Sequence, residues 1–217
     1  WRKKIDSMFT NGDINPAGIT LAYAKDELLL HAGAYTVAQI NSGRDSEGAQ
    51  DIMMYLVEGG YQSDTTQAVL GYWHFNDQVR TASAGGKLGA GGTDDAGADI
   101  SDSDFGFDIL RARLAHKFKT EAGDFKLHGD VAYNLSASGD GQYEDDSSVD
   151  GKNALAYVIG ASYRVNKFEF AYKYNHVEAN SLPWFMVEPN FNGGTTNGEG
   201  HMLSLKYFCT KNIHFRL

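Results

Sequence analysis

Apolar and polar residues alternate with a period of two along most of this chain, and the pattern is clearest between residues 153 and 176. One arm of that stretch places Leu155, Tyr157, Ile159, Ala161 and Tyr163 on one face and Ala156, Val158, Gly160, Ser162 and Arg164 on the other. Val165, Asn166 and Lys167 read as a tight turn, after which Phe168, Phe170, Tyr172 and Tyr174 alternate with Glu169, Ala171, Lys173 and Asn175. A helix would scatter these aromatics around its circumference, so the spacing predicts a β-hairpin.

The same pattern recurs along the chain. Residues 18–24 alternate with Ile19, Leu21 and Tyr23 on one face, and Lys25, Asp26 and Glu27 turn the chain into a strand over 28–37. The facing of that strand is open, because Leu28, Leu29 and Leu30 are contiguous. Residues 51–62 set Met53, Tyr55, Val57, Gly59 and Tyr61 against Met54, Leu56, Glu58 and Gly60; after a short turn, Val69, Gly71, Trp73 and Phe75 form the expected apolar side of 67–75. Residues 107–118 oppose Leu110, Ala112, Leu114, His116 and Phe118 to Ile109, Arg111, Arg113, Ala115 and Lys117. Phe125, Leu127, Gly129, Val131 and Tyr133 follow, facing away from Lys126, His128, Asp130, Ala132 and Asn134. Beyond the hairpin, Leu203, Leu205 and Tyr207 share a face of 201–207, and Ile213, Phe215 and Leu217 begin a tenth strand.

Connections between these strands alternate short and long, the long ones being 38–50, 76–103, 135–152 and 177–200. Aromatics flank most of the short ones: Tyr23, Tyr61, Phe118, Phe125, Tyr163, Phe168 and Tyr207. In the hairpin, Tyr157 and Tyr174 add a second aromatic level at the far ends. Sorted loop lengths and two aromatic levels are the pattern of an antiparallel up-and-down transmembrane β-barrel, with tight periplasmic turns and long extracellular loops. A soluble β-protein is the reading that remains if the membrane is wrong. With the long loops outside, the first strand descends and the tenth ascends, so both ends of the run lie outside. Bacterial barrels of even strand number keep both termini periplasmic, so the expectation is a single barrel domain over 1–217, incomplete at both ends, from a barrel of roughly twelve strands or more.

Composition supports this reading. In 217 residues with 25 glycines and 12% aromatics, no apolar run is long enough for a spanning helix. Mean hydropathy is −0.40, as expected where half of each strand is polar. The three prolines, Pro16, Pro183 and Pro189, fall outside the alternating runs. A formal charge of −9 argues against nucleic acid. A lone Cys209 makes neither an internal disulfide nor a zinc pattern.

The stretch Asp13, Ile14, Asn15, Pro16, Ala17, Gly18, running into Ile19 to Tyr23 and a short charged turn, resembles the entry to a β-hairpin in a porin family of Gram-negative outer membranes. Ala17 departs from the family pattern, which carries a charged residue there, and Leu217 is not the aromatic residue on which such barrels commonly finish. The resemblance implies a cell outer-membrane pore for passive diffusion of small hydrophilic solutes, in contact with outer-membrane lipid and lipopolysaccharide. Homotrimers are common in such proteins.

If the aromatic faces meet lipid, the other faces line the lumen. They carry Arg111, Arg113, Lys117, Lys126, His128, Lys173, Lys206 and Arg216 against Glu58, Asp108, Asp130 and Glu169. A net basic wall biases permeation towards anions; the alternative is mixed charge that pairs across strands. Asp94, Asp95, Asp99, Asp102 and Asp104, and then Asp140, Glu144, Asp145, Asp146 and Asp150, read as solvated loops, without the spacing of a calcium loop. Residues 85–92 lack the ending of a phosphate loop. No metal or cofactor is expected. Two alternatives belong to other classes. A barrel enzyme hydrolysing lipid needs Ser beside a lipid-facing His, for which His74 and His116 are the candidates, and a receptor or adhesin would use Trp184 and Phe185 in a long loop.

Overall fold

The computed structural model describes residues 17–40, 50–76, 106–137, 153–178, 180–183, 186–188, 191, 196, 198–210 and 214–216, and the side chains of 38–40, 50–51, 214 and 216 lie outside what it describes. The acidic segments, Trp184 and Phe185 of the sequence reading lie outside the described residues. The chain is all-β. Ten strands run in order: β1 (Ala17–Lys25), β2 (Leu28–Ile40), β3 (Gln50–Gln62), β4 (Thr66–Phe75), β5 (Asp108–Thr120), β6 (Gly123–Asn134), β7 (Leu155–Val165), β8 (Phe168–Val177), β9 (Gly198–Phe208) and β10 (His214–Arg216). Each pairs antiparallel with the next in one up-and-down sheet, and β1 and β10 are its two edges. The sheet is therefore open.

Turn chemistry fixes the short ends. Asp26 and Asn166 both take φ of 52°, a left-handed conformation that Asp and Asn tolerate better than most residues. Ser63 Oγ accepts the backbone N–H groups of Thr65 (3.3 Å) and Thr66 (3.0 Å), closing the β3–β4 turn. Gly123 at φ 146° brings its backbone so near Arg164 that a Cβ would lie 2.4 Å from the carbonyl oxygen.

The two faces of the sheet differ. One is bare: Ile19, Leu30, Val57, Leu70, Leu114, Ile159, Phe170 and Leu203 all stand exposed on it, Leu203 at 81%. The other is covered, and carries Ile52, Met54, Leu56, Trp73, Phe75, Ile109, Ala156, Val158 and Val177 in one buried cluster. Leu182, Met186, Val187 and Phe191 belong to that cluster. These four residues of the β8–β9 connection thus pack on the covered face at the end where β8 finishes.

Three facings are settled here. The run of leucines at the start of β2 resolves with Leu28 and Leu30 bare. Val69, Trp73 and Phe75 of β4, expected on the outward apolar side, are buried on the covered face, while Leu70, Tyr72 and His74 point outward. Asp108, expected inward, shares the face of Leu110 and bonds to Tyr72 and His74. In β4 both alternating sets carry large apolar groups, Val69, Trp73 and Phe75 against Leu70 and Tyr72, so hydrophobicity alone could not choose between its two parities.

Asn134 holds this end together. It is fully buried, its Nδ2 donates to the carbonyls of Gly106 (3.2 Å) and Asn180 (2.9 Å), and its Oδ1 accepts from the backbone N–H of Asp108 and Ser136, each at 3.1 Å. Replacing it with Leu strands four backbone groups, each costing about 1–3 kcal/mol if left unpaired and dry. We expect Asn134→Leu to lower unfolding stability by roughly 3 kcal/mol or more in chemical denaturation followed by Trp fluorescence. A change under about 0.5 kcal/mol would mean that the β8–β9 segment is not docked through this residue.

Candidate functional site

The covered face carries a run of polar contacts across six neighbouring strands. Thr20 Oγ1 lies 2.7 Å from the Tyr35 hydroxyl, which is 2.8 Å from His31 Nε2. His31 Nδ1 is 3.5 Å from Glu58 Oε2, and the other oxygen of Glu58 accepts the Trp73 indole N–H at 2.9 Å. Arg111 Nη1 lies 3.7 Å from Glu58 Oε1, and its guanidinium sits 4.9 Å from the Trp73 ring centre. Arg111 then grips Asp130 with two donors, Nε to Oδ1 at 2.9 Å and Nη2 to Oδ2. Two-donor pairing of this kind fixes both side chains as well as attracting them.

Glycines make room for the network. Gly71 pairs in register with Glu58, and a Cβ there would lie 2.9 Å from Glu58 Cγ. Gly160 stands opposite His128 and would crowd its Nε2 at 2.2 Å if it carried a Cβ.

Of the expected lumen-lining residues, Arg111, Arg113 and Asp130 are on the covered face but buried, at 3%, 4% and 3% exposure. Arg111 and Asp130 neutralise one another there. Nearer the short turns the face opens: Lys117 pairs with Asp124, and Lys206 with Glu169 at 3.2 Å. Lys126, His128 and Lys173 share this face by register, and Arg216 pairs in register with Lys206. Asp124 lies one residue before the alternating run that the sequence shows from Phe125. Its position opposite Lys119 in a ladder running to Thr120 and Gly123 places it in the strand.

On the bare face, the expected aromatics line up beside the short turns. Phe118, Phe125, Tyr163 and Phe170 occupy one row through successive pairings, and Phe168 lies 5.1 Å from Tyr207 between ring centres. Tyr23 and Tyr61 stand exposed at the turns of their own hairpins. Tyr163 donates its hydroxyl to the Ala122 carbonyl at 2.8 Å.

At the opposite end of this face the sequence reading missed a repeated unit. Tyr55, His74 and Asp108 form one row across β3, β4 and β5; Tyr157, His176 and Glu199 form the same row across β7, β8 and β9. In both, the Tyr ring stacks on the His ring, with centres 6.0 and 5.0 Å apart. In both, His Nδ1 meets the carboxylate, at 2.7 and 3.2 Å, and the Tyr two residues before the His donates its hydroxyl to the same carboxylate oxygen. Even the clasp beyond is repeated: Asn76 Oδ1 accepts from Met53 N at 3.0 Å and Glu178 Oε2 from Leu155 N at 2.7 Å. The signal was available, since Tyr55, Tyr61, Tyr72 and His74 recur 102 residues later as Tyr157, Tyr163, Tyr174 and His176.

Among the described residues no serine is placed against His74 or His116 as a nucleophile would be. Ser136 donates to Asp108 rather than to His74, so the imidazole is not placed to take its proton. His116 Nδ1 is 2.8 Å from Thr66 Oγ1, and no carboxylate partner for its ring is found among the described residues. Comparison with models of known protein families, with curated proteins and with solved structures gave no match.

Removing one partner of a buried ion pair leaves an uncompensated charge, a loss of about 3–5 kcal/mol, whereas replacing both by apolar groups is often neutral. Asp130→Ala should therefore destabilise the fold by roughly 3 kcal/mol. Arg111→Met, which also takes the guanidinium from Glu58, should cost less when added to that variant than when made alone, in the same denaturation assay. Additive losses would show that Arg111 and Asp130 act independently.

Proposed function

We propose that the bare face lies against the acyl chains of a Gram-negative outer membrane, and that the covered face lines a water-filled passage for small hydrophilic solutes. The observation that carries this reading is the reversal of the usual exposure pattern. Large apolar side chains from successive strands stand uncovered, while Arg111, Arg113, Glu58 and Asp130 are buried on the opposite face. An uncovered apolar surface of this extent calls for a partner, and monomeric soluble proteins seldom carry one beyond a few hundred Å². Acyl chains suit it because the surface is continuous along strands of 9 to 13 residues from β1 to β9, close to the length that spans a bilayer when tilted. The aromatic row beside the short turns has the amphipathic character suited to an interface.

A passage of this kind requires the sheet to close into a continuous wall. Passage is then governed by radius and fixed charge rather than by bond chemistry. The segment carrying Leu182, Met186 and Phe191 narrows the path near the long connections. Lys117, Lys126, Lys173 and Lys206, set against Asp124 and Glu169, leave the other end basic and favour anions.

Two outcomes test this in planar lipid bilayers. Stepwise ohmic conductance with a chloride-biased reversal potential across a KCl gradient is expected, and Lys126→Glu combined with Lys173→Glu should move the reversal potential towards potassium. A potassium bias in the unaltered protein would refute the anion preference, and absence of conductance from inserted protein would refute the pore. Deleting residues 181–191 should raise single-channel conductance; an unchanged value would show that the segment does not limit flow.

A further inference from the structure

The recurrence at an interval of 102 residues extends to the covered face. It aligns the β3–β4 hairpin with the β7–β8 hairpin, so that Glu58, Gly71 and Trp73 correspond to Gly160, Lys173 and Asn175. The flanking strands keep the correspondence. His31 pairs with Glu58 from β2 and His128 with Gly160 from β6, while Arg111 pairs with Gly71 from β5 and Met202 with Lys173 from β9. One row across the covered face therefore reads His, Glu, Gly, Arg, and the other His, Gly, Lys, Met.

The first row holds a carboxylate of its own. Glu58 Oε1 accepts the Trp73 N–H at 2.9 Å and lies 3.7 Å from Arg111 Nη1, and Oε2 lies 3.5 Å from His31 Nδ1. An imidazole, an uncharged N–H donor and a cation thus surround it. The second row keeps the imidazole in His128, the uncharged donor in Asn175 and the cation in Lys173, but Gly160 stands in the position of Glu58. The His128 ring leans over that glycine, where a Cβ would lie 2.2 Å from Nε2. Asn175 is 3% exposed, and its Nδ2 has no hydrogen-bond partner among the described residues. A dry amide N–H of this kind calls for an acceptor. The nearest carboxylates on the face are engaged elsewhere, Asp130 by Arg111 and Glu169 by Lys206.

Resting on the pore reading, we propose that His128, Lys173 and Asn175 form a subsite for the carboxylate of a small organic acid in transit, held as Glu58 is held by His31, Arg111 and Trp73. Lys173 supplies a charge-assisted bond, and His128 and Asn175 supply neutral donors. Rotation of the Asn175 amide about its soft terminal torsion presents its N–H to the row. Two further features favour a carboxylate. Asp130 follows His128 on the same face of β6, and a doubly charged phosphate would meet its charge where a carboxylate brings only one. Chloride can neutralise Lys173 but has no second oxygen with which to reach both Asn175 and His128.

Saturation-transfer NMR on the folded, detergent-solubilised protein tests this with propionate as the probe. Propionate should bind, and phosphate or chloride should displace it only at about tenfold higher concentration. Lys173→Met and Asn175→Leu should each weaken propionate binding by about tenfold. Lys173→Arg should retain binding, and Lys206→Met should leave it unchanged. Circular dichroism reports the fold of each variant, and half-buried Lys173 carries the test if Asn175→Leu does not fold. Displacement by phosphate or chloride at the same concentration as propionate overturns the subsite and leaves the pore reading standing. So does a folded Lys173→Met variant that binds propionate as the unaltered protein does. Conductance is measured on the same preparations in planar bilayers. Inserted protein that binds propionate through Lys173 yet passes no current overturns the pore reading and supports the carboxylate subsite.

Discussion

Successive side chains of a strand leave on opposite faces, and no local adjustment lets a strand escape that alternation. In this sheet every strand from β2 to β9 must therefore serve two environments at once. The ladder of backbone bonds satisfies the main chain, and the alternation delivers Leu, Ile, Val, Phe and Tyr to the bare face and charge to the covered one. A one-residue slip of β5 would put Arg111 and Arg113 on the bare face, and a slip of β3 would put Glu58 there. The polar network is the covered face's answer to that constraint. Glu58, Arg111 and Asp130 are tolerated in burial because each meets an opposite charge, and Trp73 and His31 occupy further acceptor positions on Glu58.

Distinct work is divided along the strand axis. Near the long connections the covered face is an apolar core closed by Leu182, Met186, Val187 and Phe191, with Asn134 pinning the closure. In the middle lies the buried charge network, and beside the short turns lysines meet carboxylates in the open. The bare face is graded in the same direction, from Phe and Tyr at the short turns to Tyr, His and carboxylate at the other end. That gradient gives the sheet a polarity which the hydrogen-bond ladder alone does not supply.

Much of this was legible in sequence because period two is a geometric consequence of the strand. The facings of β5 to β9, Asp108 apart, and the aromatic row of Phe118, Phe125 and Tyr163 follow from it directly. Other features depend on tertiary partners that periodicity does not carry. Trp73 and Phe75 look like outward residues until Glu58 claims the indole and Phe107 packs on the phenyl ring. Arg111 reads as an open lumen charge until Asp130, 19 positions away, accepts from two of its donors. The β8–β9 connection reads as a loop because its apolar residues are irregularly spaced, and only docking on the sheet brings Leu182, Met186, Val187 and Phe191 into one cluster. The repeated Tyr–His–carboxylate rows were hidden for a different reason: their tyrosines and histidines recur at a constant interval, but Asp108 and Glu199 follow connections of unequal length.

Whether the bare face meets lipid is tested most directly by spin labels placed one at a time along β8, from Glu169 to Asn175, in a Cys209→Ser background in bilayers. The bare-face reading predicts that oxygen dissolved in the hydrocarbon reaches labels at 170, 172 and 174 and that labels at 171 and 173 are shielded from it, giving a period of two. Access of a water-soluble nickel reagent to 170, 172 and 174, at the level seen for an exposed turn such as Lys167, would contradict it.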